Sequence, residues 1–115
     1  MVARAYIPDA GDIVWIDFTP QAGHEQAGRR PALVLSPRVY NDKAGLAVMC
    51  PITSRIKGYT FEVEVGQSGS IRGVVLADQV KSFDWRLRNA QRAARVSPSV
   101  LEEVRVRIAV LLGIS

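Results

Sequence analysis

The apolar periodicity of this chain changes once, at Ser97, and that change limits the folds open to it. Before Ser97 the apolar residues come in short runs of strand length. After it, Val100, Leu101, Val104, Ile108, Leu111 and Leu112 recur at helical spacing. Ser97 suits an N-cap, Pro98 the first helical position and Gly113 a C-cap. Glu102 and Glu103 come early in this segment and Arg105 and Arg107 later, as the helix dipole favours. The chain is therefore expected to be mostly β, closed by one C-terminal amphipathic helix.

Residues 12–18 (DIVWIDF) are nearly all β-formers and read as the first strand, with Trp15 expected in the core. Residues 32–36 form a second strand, and Pro31 fits at its start. Residues 38–43 suit a short helical turn ended by Ala44-Gly45. Residues 46–52 read as a buried strand and 53–58 as a polar connection. Residues 60–65 (TFEVEV) alternate, with Phe61, Val63 and Val65 on one face and Glu62 and Glu64 on the other, the pattern of a half-buried strand. Residues 73–80 give another apolar strand and 90–96 a weaker one. Short strands separated by Gly-rich turns predict a small barrel or a strongly bent sheet.

At 115 residues the chain makes a single domain spanning 1–115, and its 48% apolar content supports one core while excluding a disordered chain. No window approaches the roughly 20 apolar residues of a membrane helix. The first residues lack the hydrophobic centre of a signal peptide, so a cytoplasmic protein is expected. Cys50, the only cysteine, lies in LAVMCPI and is expected to be a buried thiol. Residues 81–95 carry Lys81, Arg86, Arg88, Arg92 and Arg95 against Asp84 alone, an excess equal to the whole formal charge of +4. Such a stretch is either a polyanion-binding surface or a solvated face.

A metal site is not expected: His24 and Cys50 are the only residues of their kinds and share no ligand spacing. No G-x-S-x-G elbow, P-loop or dinucleotide fingerprint is present. What remains is carboxylate, arginine and hydroxyl chemistry. Residues 19–30 read as a long loop ending in HEQAGRR, and loops of about 12 residues are often functional. RNA can be cleaved without a metal if a base takes the ribose 2′-OH proton and a cation meets the charge building on phosphate. Glu25 can be that base, and a nearby guanidinium can grip two phosphate oxygens. By spacing alone, a solvated pair or a structural ion pair is the commoner outcome.

Four stretches decide more: PDAGDIVWIDFTP (8–20), EQAGRRPALVLSP (25–37), YNDKAGLAVMCPITSRIKGYTFEV (40–63) and GVVLADQVKSFDWRLR (73–88). In this order and spacing they resemble the MazF/PemK family of toxin–antitoxin ribonucleases. The resemblance implies an SH3-like barrel, shared with the gyrase poison CcdB, and a homodimer. It implies metal-independent, cofactor-free cleavage of single-stranded RNA, chiefly mRNA, leaving 2′,3′-cyclic phosphate and 5′-hydroxyl ends and arresting growth. It also implies a MazE-like antitoxin with an acidic C-terminal tail, and an ACA-containing cleavage site.

Residue by residue, the family's active-site glutamate matches Glu25, its pre-proline arginine matches Arg30, and the threonine near the phosphate matches Thr53. Arg29, beside Arg30, is open between an RNA contact and a partial substitute for it. His24 and Lys57 are further RNA-contact candidates, and Gln79 is a candidate for a base edge. Trp85 with Lys81 and Arg86 suits stacking on single-stranded RNA, or equally a dimer or antitoxin surface. The competing functions are a non-nuclease gyrase poison of the same fold and a non-catalytic RNA-binding module.

Overall fold

A computed structural model describes residues 5–18 and 28–114. Its strands pair antiparallel: β1 (Asp12–Asp17), β2 (Arg29–Val34), β3 (Ala47–Thr53), β4 (Glu62–Glu64), β5 (Val74–Leu76), β6 (Lys81–Phe83) and β7 (Gln91–Arg95). Helix α1 (Arg38–Ala44) joins β2 to β3, and helix α2 (Pro98–Leu112) follows β7. The hydrogen-bonded order is β4-β5-β3-β2-β1-β7, with β6 branching from β3. This is the expected mostly-β layer with a C-terminal helix, but among the described residues the pairing ends at β4 and β7. The sheet is open, not a closed barrel.

Both faces of β1, β2 and β3 are covered. Ile13, Leu33, Cys50 and Ile52 pack with Val63, Val65, Val75 and Val104, so this side lies under α2. Val14, Ile16, Ala32, Val34 and Met49 pack with Phe83 and Trp85 on the other side. Two-sided burial explains why these strands read as continuous apolar runs. Within them Cys50 is fully buried, and burial, followed by the Asp78 charge, pushes its thiol pKa up to about 12. It is the inert core thiol expected.

Helix α2 begins and ends as its sequence predicts. The Ser97 hydroxyl accepts from the Val100 N–H at 3.3 Å, and Gly113 caps the C-terminus in the left-handed region. Val104 is fully buried, and Val100, Leu101 and Ile108 pack against the core. The apolar stripe outruns that core: Val110, Leu111 and Leu112 are exposed.

Two expectations are corrected. Residues 73–80 are not one strand. β5 ends at Leu76, a 3-10 turn covers Ala77–Gln79, and β6 begins at Lys81. The turn moves the chain from the end of β3, where Ile52 and Thr53 pair with Val75 and Val74, to its start, where Ala47 pairs with Phe83. An apolar run carries no record of such a change of partner. Trp15 is not core either: its neighbours Val14 and Ile16 are 0% exposed, but it is 37% exposed. Its position on β1 opposes Pro31, where a surface cleft begins.

Buried polar groups hold the connections. Asn41 is fully buried; its amide donates to the carbonyls of Pro8 (2.8 Å) and Ser36 (2.9 Å), and its oxygen accepts from the Ser36 hydroxyl at 2.6 Å. The Trp85 indole N–H donates to the Asn41 carbonyl at 2.9 Å. Asp12, 2% exposed, accepts from the Tyr6 hydroxyl at 2.6 Å and from Arg95 at 2.7 Å. These groups keep their hydrogen bonds inside, which avoids the desolvation cost of unpaired buried groups.

Candidate functional site

A cleft of about 870 Å³ opens where β1 and β2 face the end of β3 and the connection that follows it. Its first wall holds Trp15, Arg30 and Pro31. Its second holds Thr53, Ser54, Arg55, Lys57 and Tyr59. The third holds Glu62, Arg72, Leu76 and Gln79. Four cationic side chains thus face one carboxylate across a single opening. Low-dielectric walls lined by one sign of charge concentrate the field and favour an anionic ligand.

The distances along the chain are closed by pairing. β2 starts at Arg29, three residues earlier than expected, because it continues along β1: Ile16 opposes Arg30 and Asp17 opposes Arg29. Its pairing with β3 begins only at Ala32, so Pro31 lies where β2 has β1 on one side, a position that tolerates proline. Thr53 is the last residue of β3 and pairs with Val74, which brings Arg72 beside it. This approach requires Gly73. At its φ of +119°, an added Cβ would lie 2.1 Å from the Thr53 carbonyl oxygen.

Of the sequence-derived candidates, the cleft brings together Arg30, Thr53, Lys57 and Gln79. Thr53 Oγ1 accepts from the Arg55 N–H at 3.1 Å, so it caps its own turn while its hydroxyl proton can still be donated. Glu25 and His24 lie outside the described residues. The residues flanking that segment are held together: the Phe18 N–H donates to the Gly28 carbonyl at 2.6 Å, and Arg88 donates to the carbonyls of Asp17 (3.0 Å) and Phe18 (2.6 Å).

Arg29 and Arg30 are consecutive on a strand and so point to opposite faces. Arg29 does not line the cleft. Its guanidinium donates to Asp17 at 2.9 Å, the Asn89 carbonyl at 2.9 Å and Gln91 Oε1 at 2.7 Å. It fastens β1 and β2 to β7.

The basic stretch 81–95 lies apart from the cleft. Trp85 is 5% exposed, so its ring is not a free stacking platform. The Arg86 guanidinium lies 4.6 Å from the Trp85 ring centroid and pairs with Asp42 at 3.5 Å, while Lys81 lies over Phe83 at 5.1 Å. Arg92 and Arg95 face Asp12. None of Lys81, Trp85 or Arg86 lines the cleft. The four cations of the cleft come from other segments. Arg55, Arg72, Tyr59 and Trp15 escaped sequence reasoning. Arg55 had a local sign, a basic residue two positions from Lys57 in a polar connection. Arg72 had none, because only the β3–β5 pairing brings it near.

The Asp17 carboxyl is held below its ordinary value of 3.8, first by the Asn89 amide and then by the Arg29 guanidinium. A depressed folded-state pKa gives stability that is present above the unfolded value and lost as pH falls through the folded one. The thermal midpoint advantage of the wild-type chain over Asp17→Asn is therefore expected to be constant from neutral pH down to about 5 and to shrink below about 4. Midpoints measured by circular dichroism along that series check it. A difference that instead grew on acidification would contradict the ion pair.

The family model described as PemK-like, MazF-like toxin of type II toxin–antitoxin system matches residues 9–112. The chain belongs to this family. It is 52% identical over 114 residues to the endoribonuclease toxin MazF of Escherichia coli strain K12, covering 98% of this chain and 100% of the relative. It is 38% identical over 106 residues to the E. coli endoribonuclease toxin ChpB, covering 87% and 90%. Among solved structures, MazF of Deinococcus radiodurans superposes with a TM-score of 0.86 at 56% identity, over 96% of this chain and 100% of that one. A MazE–MazF structure from the same organism gives 0.86 at 50% identity, with the same coverage. Family membership agrees with the sequence resemblance, and the shared fold agrees with the sheet and helix described above. No helix among the described residues is long and apolar enough to cross a membrane.

Proposed function

We propose that this chain, an endoribonuclease toxin of a toxin–antitoxin system, cleaves single-stranded RNA by attack of a ribose 2′-OH on the adjacent phosphate, without a metal. The observation that carries the chemistry is the cleft in which Arg30 and Thr53 stand among Arg55, Lys57 and Arg72. Glu25 takes the 2′-OH proton. The 2′ oxygen then bonds to phosphorus, the bond to the 5′ oxygen breaks, and the departing oxygen takes up a proton. This leaves a 2′,3′-cyclic phosphate and a 5′-hydroxyl. Arg30 meets the charge growing on the phosphoryl oxygens, and the Thr53 hydroxyl donates to one of them. Arg55, Lys57 and Arg72 hold neighbouring phosphates, and Trp15 offers its exposed indole to a base. His24 is an RNA contact.

The partner that neutralises this cleft is a MazE-like antitoxin, whose acidic C-terminal tail complements the same four cations. The active form is a homodimer acting in the cytoplasm.

The deciding experiment gives purified protein an RNA oligonucleotide and the DNA of the same sequence, with and without chelator. RNA is expected to be cut in both conditions to cyclic-phosphate ends, while DNA survives because it lacks the 2′-OH. Cleavage lost in chelator overturns the metal-free mechanism. RNA that is bound but never cut overturns the nuclease assignment.

A further inference from the structure

The connection between β3 and β4 carries Arg55, Lys57 and Tyr59 into the cleft, yet all its residues from 54 to 60 are exposed. Cations on an exposed loop give RNA a defined register only if the loop backbone is held. Near its start, the Arg55 N–H is bound by Thr53 Oγ1. In its middle, the N–H groups of Lys57 and Gly58 each donate to one Glu62 carboxylate oxygen, at 3.0 and 2.7 Å. These last contacts tie the loop to β4, where Glu62 pairs with Leu76 just before the 3-10 turn.

One contact reaches the turn itself. The Tyr59 hydroxyl donates to Asp78 Oδ1 at 2.8 Å. Asp78 precedes Gln79 in the 3-10 turn, and that turn is fixed from below: Ala77 is fully buried and its N–H donates to the Phe61 carbonyl at 2.9 Å. The hydrogen bond to Asp78 also raises the Tyr59 pKa above its ordinary value. Lys57 is thereby tied to one end of a short span and Gln79 to the other.

We infer that Tyr59 and Asp78 are positioning residues for sequence selection: their hydrogen bond sets Lys57, which meets the RNA backbone, at a fixed distance from Gln79, which meets a base edge. The inference rests on the ribonuclease function proposed above. Without the bond, the loop keeps its links to β4 through Glu62 but loses its direct tie to the turn, and a wrong base at Gln79 is relieved by a shift of the backbone at Lys57.

The test uses the whole chain as wild type, Tyr59→Phe, Asp78→Asn and the double variant. Fragment 5′ ends from the wild type give the preferred sequence. Each protein is then assayed on that sequence and on its single-base variants. The ratio of kcat/KM between preferred and variant RNA is expected to fall about tenfold in each single variant, the scale of one base-edge contact. It should fall no further in the double, since both changes remove one bond. Unchanged ratios in both single variants, or losses that multiply in the double, overturn the inference. The same four proteins are titrated with 2′-deoxy versions of the oligonucleotides, which resist cleavage. If the wild type binds with a sequence preference that both single variants lose, the positioning role stands even where no RNA is cut and the nuclease assignment fails. Equal preference in all four proteins, or none in the wild type, overturns it.

Discussion

Arg30→Ala is expected to lower kcat by about 10²–10³-fold, the usual cost of removing one donor aimed at transition-state charge, while Arg29→Ala acts mainly on stability. The two arginines are adjacent in sequence and both basic, so composition gives no reason to separate them. The structure does: Arg30 lines the cleft with Thr53, while Arg29 is bound by Asp17, Asn89 and Gln91. Arg29→Ala should lower the thermal midpoint, and well below that midpoint most of its kcat should remain. Glu25→Gln is the companion variant, with an expected loss of about 10²–10⁴-fold, the range for a general base, and with RNA binding retained. Single-turnover cleavage together with thermal melts separates these outcomes. An Arg29→Ala protein with an unchanged midpoint and a kcat as low as that of Arg30→Ala would reverse the assignment. Full activity of a well-folded Glu25→Gln protein would remove the base from the mechanism.

Gly73→Ala carries the largest expected loss of stability, on the order of 3 kcal/mol, combining backbone strain with overpacking. The obstacle is backbone, not a side chain that can turn aside: the new methyl would meet the Thr53 carbonyl oxygen at 2.1 Å and its carbon at 2.8 Å. Relief requires β5 to move away from the end of β3, which displaces Thr53 and Arg72 together. Gly113→Ala is the control, since it has a positive φ of 73° but nothing within 4 Å of the added carbon. That variant should cost only about 1 kcal/mol. Calorimetry is expected to place Gly73→Ala about 10 °C below wild type, with cleavage reduced in the residual folded protein. Equal midpoints for the two variants would mean that the close approach is not a constraint.

Much of the fold was legible because it depends on local patterns. The Ser97 cap, Pro98 and the helical spacing that follows define α2 almost to the residue, and the alternation in TFEVEV identifies the buried face of β4. Cys50 was readable as a core thiol from its apolar neighbours alone. Trp15 was misjudged because three of its neighbours in β1 are fully buried, and a strand covered on both faces hides the alternation that marks an exposed position. The charge-rich 81–95 stretch stayed open in the sequence for a related reason. Composition records how many arginines a segment has, but not that Arg88, Arg92 and Arg95 face carbonyls and carboxylates of β1 and its continuation.

By itself the sequence determined the type of chain, mostly strands and then one amphipathic helix, and through its resemblance the family, with Glu25, Arg30 and Thr53 as the site that resemblance implies. Periodicity and motif spacing are properties of neighbours along the chain, so they survive in a linear reading. The tertiary structure decided which of two adjacent arginines faces the cleft, that Arg55 and Arg72 join it, and that Trp85 is buried. Those outcomes depend on strand register, and register is set by pairing between segments far apart in the chain: Arg30 against Ile16, and Thr53 against Val74. A one-residue slip in either pairing would turn every side chain to the opposite face.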